Sequence, residues 1–168
     1  VALFSSETDY IDEKGNARPP IDWQDELAPL MLNRPTPILP STVTVKKAAF
    51  IAAGGFNPLL RTQEDIELFA RIATGYPIQS IDRPLVKYRC HSKQLHRNRE
   101  WRAQSWPILF HSLAEMWKDA PEKQAILAKR AAAVFEDLGT HYLRTGQYMT
   151  ARAYLRQSIS LNPWSLNK

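Results

Sequence analysis

The hydrophobic period of this chain changes once, near Arg97, and that change limits what the chain can fold into. Ahead of it, short runs of alternating apolar and polar residues are punctuated by Gly and Pro, the pattern of half-buried strands and short helices. From Trp101 onward the apolar residues recur at helical spacing and β signals are few. One switch of period predicts an α+β front part, 1–97, and an all-α back part, 98–168. The length of 168 residues allows one to two small domains, and 44% apolar with 23% charged residues excludes a disordered, collagenous or wholly coiled-coil chain. A single cysteine, Cys90, excludes an internal disulfide framework and a Cys-cluster zinc site.

Local chemistry fills in the front part. Residues 1–18 read as a hairpin with Asp12-Glu13-Lys14-Gly15-Asn16 as its turn. The Pro-rich stretch from Pro19 to Pro40 leaves room for one short helix, around Gln24–Asn33, and otherwise loop. Ser41 to Lys46 alternates as a strand, with Val43 and Val45 on one side, and Lys47 to Ala53 is a short helix stopped by Gly54-Gly55. Phe56-Asn57-Pro58 is a turn. Thr62 to Thr74 reads as a helix capped by Thr62, with Ile66, Phe69, Ile72 and Ala73 as its buried stripe. Ile78–Ile81 and Leu85–Cys90 read as two strands joined at Asp82-Arg83-Pro84.

In the back part, Trp106-Pro107 starts a helix that ends near Trp117. Pro121 starts another, running to about Thr145, where Gly146 breaks it. A third covers Met149 to Ser160 and stops at Asn162-Pro163. Trp101, Trp106 and Trp117 are expected in the core, with one of them available to stack a sugar. The longest apolar stretches are about ten residues and interrupted, so no membrane-spanning helix is expected. The chain starts at Val1 with no Met and no signal-peptide pattern, from which an upstream part is expected to be missing.

Five segments of the front part carry a resemblance. Tyr10-Ile11-Asp12-Glu13-Lys14-Gly15, Asn33 with Pro40-Ser41-Thr42-Val43, and Ala53-Gly54-Gly55-Phe56-Asn57 come first. Glu64-Asp65-Ile66-Glu67-Leu68 and Tyr88-Arg89-Cys90-His91 follow. In this order, over residues 1 to about 96, they resemble the C-terminal, acceptor-side part of a family 2 glycosyltransferase of the GT-A fold. Residues 132–165 resemble one tetratricopeptide repeat. Phe135, Leu138, Gly139, Tyr142, Ala151, Leu155, Ser158 and Pro163 stand at its large, small and capping positions, with a period of 34 residues. One repeat cannot bury its own face, so it must lean on neighbouring helices. The expected architecture is therefore short mixed strands and helices forming half of a GT-A domain, then an all-α helical hairpin region.

The resemblance implies inverting transfer of a sugar from a nucleotide sugar to an acceptor hydroxyl, with Asp65 as the general base. Glu64 is implied beside it, either supporting the base or facing the acceptor. Gly54 and Gly55 let a sugar approach the backbone or simply stop a helix. Acids in a first helical turn are also favoured by the helix dipole alone, which is the plain alternative for Asp65. Asp65-Ile66-Glu67 makes no metal pair, because positions two apart on a helix diverge. Lys87, Arg89 and His91 share one strand face, suited to a leaving diphosphate or left as a solvated basic face. The family's Asp-x-Asp motif, which with His91 would hold a divalent cation (Mg or Mn), does not occur in the sequence. The fragment alone is thus expected to lack cofactor and turnover.

The formal charge of +5 and the basic stretch over residues 83–102 suit an anionic partner, and they allow peripheral contact with a membrane. A cytoplasmic protein is expected, either free or peripheral at the membrane's inner face. Nucleic acid is not expected as a partner, since no RNP, helix-turn-helix or zinc motif is present. His96, His111 and His141 show no ligand spacing. The alternative to an enzyme is a non-catalytic module that binds a protein partner through the helical repeat.

Overall fold

The computed structural model describes residues 1–19, 38–92, 94–95 and 98–162. The helix expected around Gln24–Asn33, the Asn33 part of the resemblance, Lys93, His96, Arg97 and the Pro163 cap lie outside these residues. The chain is mixed α+β and forms two compact units, Val1–Ser105 and Trp106–Lys168.

Strand β1 (Leu3–Ile11) organises the first unit. On one edge it pairs antiparallel with β3 (Val43–Val45) and, at its far end, with β2 (Ala17–Arg18). On the other edge it pairs in parallel with β4 (Ile78–Arg89). Leu3 lies opposite both Val45 and Ile78, so three apolar side chains form one row across the sheet. The hairpin expected over 1–18 forms, and Gly15 takes φ 93° at its turn, a conformation that favours glycine.

The two strands expected on either side of Asp82-Arg83-Pro84 are one strand. Ser6 pairs with Ile81, Glu7 with Pro84 and Thr8 with Val86, so β4 carries its extra residues as bulges without leaving the sheet. Pro84 has no N–H to give, and a bulge is where a strand tolerates that. Beyond it the alternation holds, with Lys87, Arg89 and His91 exposed and Cys90 buried.

Helix α1 (Lys47–Ala52) ends at Gly54 and Gly55, with φ 83° and 71°. Helix α2 (Glu64–Gly75) packs Leu68, Phe69 and Ile72 on Leu3 and Ile38, with Val43, Val45, Phe50 and Ile78 around them. Leu68 and Ala70 are fully buried, whereas Ile66 and Ala73, expected in the stripe, are only half-buried. Thr62 is not the cap. The N-cap position is Gln63, and Thr62 is buried one residue earlier, its N–H donating to Ser105 Oγ at 3.2 Å.

Helix α3 (Arg99–Met116) starts seven residues before the expected Trp106 start and carries Pro107 within it. Pro107 removes one hydrogen bond from the helical ladder. The boundary between the two units falls beside it, at Ser105/Trp106. In the second unit, α4 (Pro121–Arg144) and α5 (Tyr148–Leu161) form an antiparallel hairpin about Gly146, which has φ 77°. A series of ring contacts ties its helices together. Trp106 stacks on Phe110 at 5.1 Å, Phe110 meets Phe135 edge-on at 5.6 Å, and Tyr154 stacks on Tyr142 at 5.7 Å. Burial, and secondarily the neighbouring Tyr142, pushes the Tyr154 hydroxyl above its ordinary value of 10.0. At Gly139 the two helices approach closely, since a Cβ there would lie 2.6 Å from Leu155 Cγ.

Candidate functional site

Two clusters in the first unit hold the residues expected to do chemistry. The first joins the Gly54-Gly55 loop to α2. Backbone N–H groups of Gly54 and Gly55 donate back to Ile51 O (2.9 Å) and Phe50 O (3.1 Å), which closes α1. The loop carbonyls then face Arg71. Its guanidinium donates to Ala53 O and, at 2.7 Å, to Gly55 O. The same guanidinium donates to both oxygens of Glu67, at 2.9 and 2.5 Å. Glu67 is buried, and Arg71 is its bidentate partner one turn on. A Cβ on Gly54 would lie 3.6 Å from Arg71 Nη1, an ordinary contact, so the positive φ is what calls for glycine here.

Glu64 and Asp65 open this same helix, both half-buried. Asp65 Oδ1 accepts the Ile66 N–H at 2.9 Å. Directly ahead stands Gln63 at φ 60°, the one non-glycine with positive φ among the described residues. Such a conformation costs ~1–3 kcal/mol and persists only where the surroundings hold it. Buried Thr62 is the holding residue, anchored through its N–H to Ser105 and through its hydroxyl to Gln63 Oε1 at 3.0 Å. The first turn thus follows a strained entry at Gln63, and its third acid, Glu67, is held by the Arg71 clamp.

The second cluster lies at the β1–β2 turn. A pocket of about 440 Å³ is lined by Asp12, Glu13, Lys14, Asn16, Arg18, Cys90, His91 and Ser92. Asp12 Oδ1 accepts the N–H groups of Lys14 and Asn16, each at 2.8 Å, and Oδ2 accepts the Asn16 side chain at 2.9 Å. The Asn16 side chain first, then its N–H, holds the Asp12 carboxyl below its ordinary 3.8. Arg89 Nη1 donates to Asp12 O (3.1 Å) and Glu13 O (2.9 Å), fastening the end of β4 to the turn. His91 is exposed at the pocket wall, its backbone N–H donating to Gln94 Oε1 at 3.3 Å.

The fold thus groups Gly54, Gly55, Glu64 and Asp65 around α2, and Arg89 and His91 around the hairpin turn. Asp65 is not among the residues lining the His91 pocket. Among the described residues no three His, Cys, Asp or Glu side chains are grouped to hold a metal, so no reaction step is drawn through one. No described helix is long and apolar enough to cross a membrane. Trp106 and Trp117 are buried core residues, and Arg61 lies over the Trp101 ring at 5.2 Å. His111 is exposed, and His141 sits edge-on to Tyr142 at 5.4 Å.

Sequence reasoning gave Arg71 and Gln63 no role, and weighed Glu67 only as a metal partner of Asp65. The i, i+4 spacing of Glu67 and Arg71 is a visible signal. What hides the clamp is that a Glu on the buried side of a helix is rare. No family model, curated protein or solved structure matches the chain.

Proposed function

We propose that this chain is the acceptor-side half of an inverting, nucleotide-sugar-dependent glycosyltransferase, followed by a helical-repeat extension. The observation that carries the reading is the entry to α2. Asp65 stands in a first helical turn set by a strained Gln63, in a helix fastened to the Gly54-Gly55 loop by Arg71. A general base needs a fixed position beside an open approach, and strain kept at one point of a fold is a mark of such a place. In the proposed reaction Asp65 takes the acceptor hydroxyl proton as that oxygen bonds to the anomeric carbon. The bond from that carbon to the nucleotide diphosphate breaks, and the diphosphate leaves with the electron pair. His91, with Lys87 and Arg89 on the same strand face, supplies donors to the departing charge.

The test compares two proteins against a panel of nucleotide sugars: residues 1–168 alone, and the complete enzyme with a donor-binding half. Turnover is expected only from the second. His91→Ala in the complete enzyme weakens calorimetric nucleotide binding together with turnover. Turnover by residues 1–168 alone, or a native protein with no donor-binding half, contradicts the reading. A second reading, a protein-binding module without activity, is favoured by one observation: Tyr148 and Met149 on α5 are 68% and 78% exposed.

A further inference from the structure

The inner face of α5 is fully used. Ala151 and Ser158 are buried, and Leu155 lies against Gly139 of α4. Its outer face is not. Tyr148, Met149, Arg152, Arg156 and Ile159 are all exposed and fall within about 100° of the helix circumference, at 100° per residue. Large apolar side chains thus stand at both ends of one stripe of about three turns, with the two guanidinium groups between them. No Asp or Glu occurs anywhere in the sequence after Asp137, so no acid of this segment answers those arginines.

We infer that this outer face of α5 docks an acidic amphipathic helix of a protein partner, its apolar side chains on Tyr148, Met149 and Ile159 and its carboxylates on Arg152 and Arg156. The inference deepens the protein-binding reading and is independent of the transfer reading. Charge decides the occupant. A second copy of α5 would set arginine against arginine, and like charges across an interface are costly. A bilayer rewards apolar groups gathered beneath their cations. Here Met149 and Ile159 bracket Arg152 and Arg156 on one line, so sinking the first pair would drag the second down with it. A helix with acids spaced i, i+4 beside an apolar edge meets both kinds of group at once.

The probe is a displayed library of helix-forming peptides of about five turns, panned on the whole chain. Enriched peptides should carry Asp or Glu at i, i+4 next to an apolar edge. Their affinity should fall at least about tenfold against Arg152→Glu/Arg156→Glu, and Lys-for-Glu peptides should recover it on that variant. Both arginines are exposed, so the variant should keep the helical circular dichroism of the parent. Enriched peptides that ignore the charge reversal overturn the α5 face but leave the protein-binding reading, while a library that yields no binder overturns both. Two other results also overturn the proposal: binding to phosphatidylserine-containing vesicles that the double variant abolishes, or a dimer in sedimentation that it dissolves.

Discussion

Arg71 connects three pieces of the first unit: the end of α1, the Gly54-Gly55 loop and the buried Glu67 of α2. Removing one partner of such a pair strands the other charge away from water, at a cost of about 3–5 kcal/mol. Arg71→Ala should therefore lower the urea midpoint sharply, and Arg71→Lys should recover only part, since an ammonium cannot make the fork to Glu67 and the loop carbonyls together. Arg71→Met with Glu67→Leu should cost less than Arg71→Ala alone, because no charge is left buried. Equal midpoints for Arg71→Ala and the parent would show the clamp to be idle. The Asp12 turn gives a pH dependence of known sign. Its carboxyl titrates lower in the fold than in the unfolded chain, so the stability it adds is present above about pH 4 and is lost as pH falls through the lowered value. An NMR titration of Asp12 should move up on Asn16→Ala, as the side-chain hydrogen bond that does most to lower it disappears. At this scale the sequence shows which residues carry charge. It does not show that Glu67 points inward, because that depends on where the sheet lies.

Elements were legible where one segment's own period decides them. The hairpin, β3, α1, α2, α4 and α5 stand close to where periodicity and Gly or Pro punctuation put them. The failures are elements decided by a partner. Asp82-Arg83-Pro84 has turn chemistry, yet β1 pairs on both sides of it and the register shift absorbs the excess. Pro107 looks like a helix start, yet α3 begins ahead of it at Arg99. The α4–α5 hairpin offers a sharp test. In Gly139→Ala the new methyl meets Leu155 Cγ at 2.6 Å, and Leu155 N at 3.2 Å keeps the backbone from yielding freely. Overpacking of this kind costs about 1–3 kcal/mol, and the better helix propensity of Ala returns at most about 1. A net loss is expected, read as a fall of several degrees in Tm; a rise would mean the two helices are not held together at Gly139.

Across the whole molecule, the sequence separates an α+β part from an all-α part, and the fold has both, with the unit boundary at Ser105/Trp106. The candidate site was half legible. Asp65, Gly54 and Gly55 are named by short motifs, whereas the strained Gln63 ahead of Asp65 and the Arg71 clamp on the glycine loop depend on contacts distant in sequence. The central claim is that Asp65 is a base and not merely an acid suited to a helix's first turn. Asn keeps its size and its place in that turn but takes no proton. The measurement is kcat of the complete enzyme carrying Asp65→Asn, beside calorimetric affinity for the nucleotide sugar. With Asp65 as the base, kcat falls about 10²–10⁴-fold and donor affinity is unchanged. A variant with near-normal kcat would contradict it and leave Asp65 a first-turn acid favoured by the helix dipole.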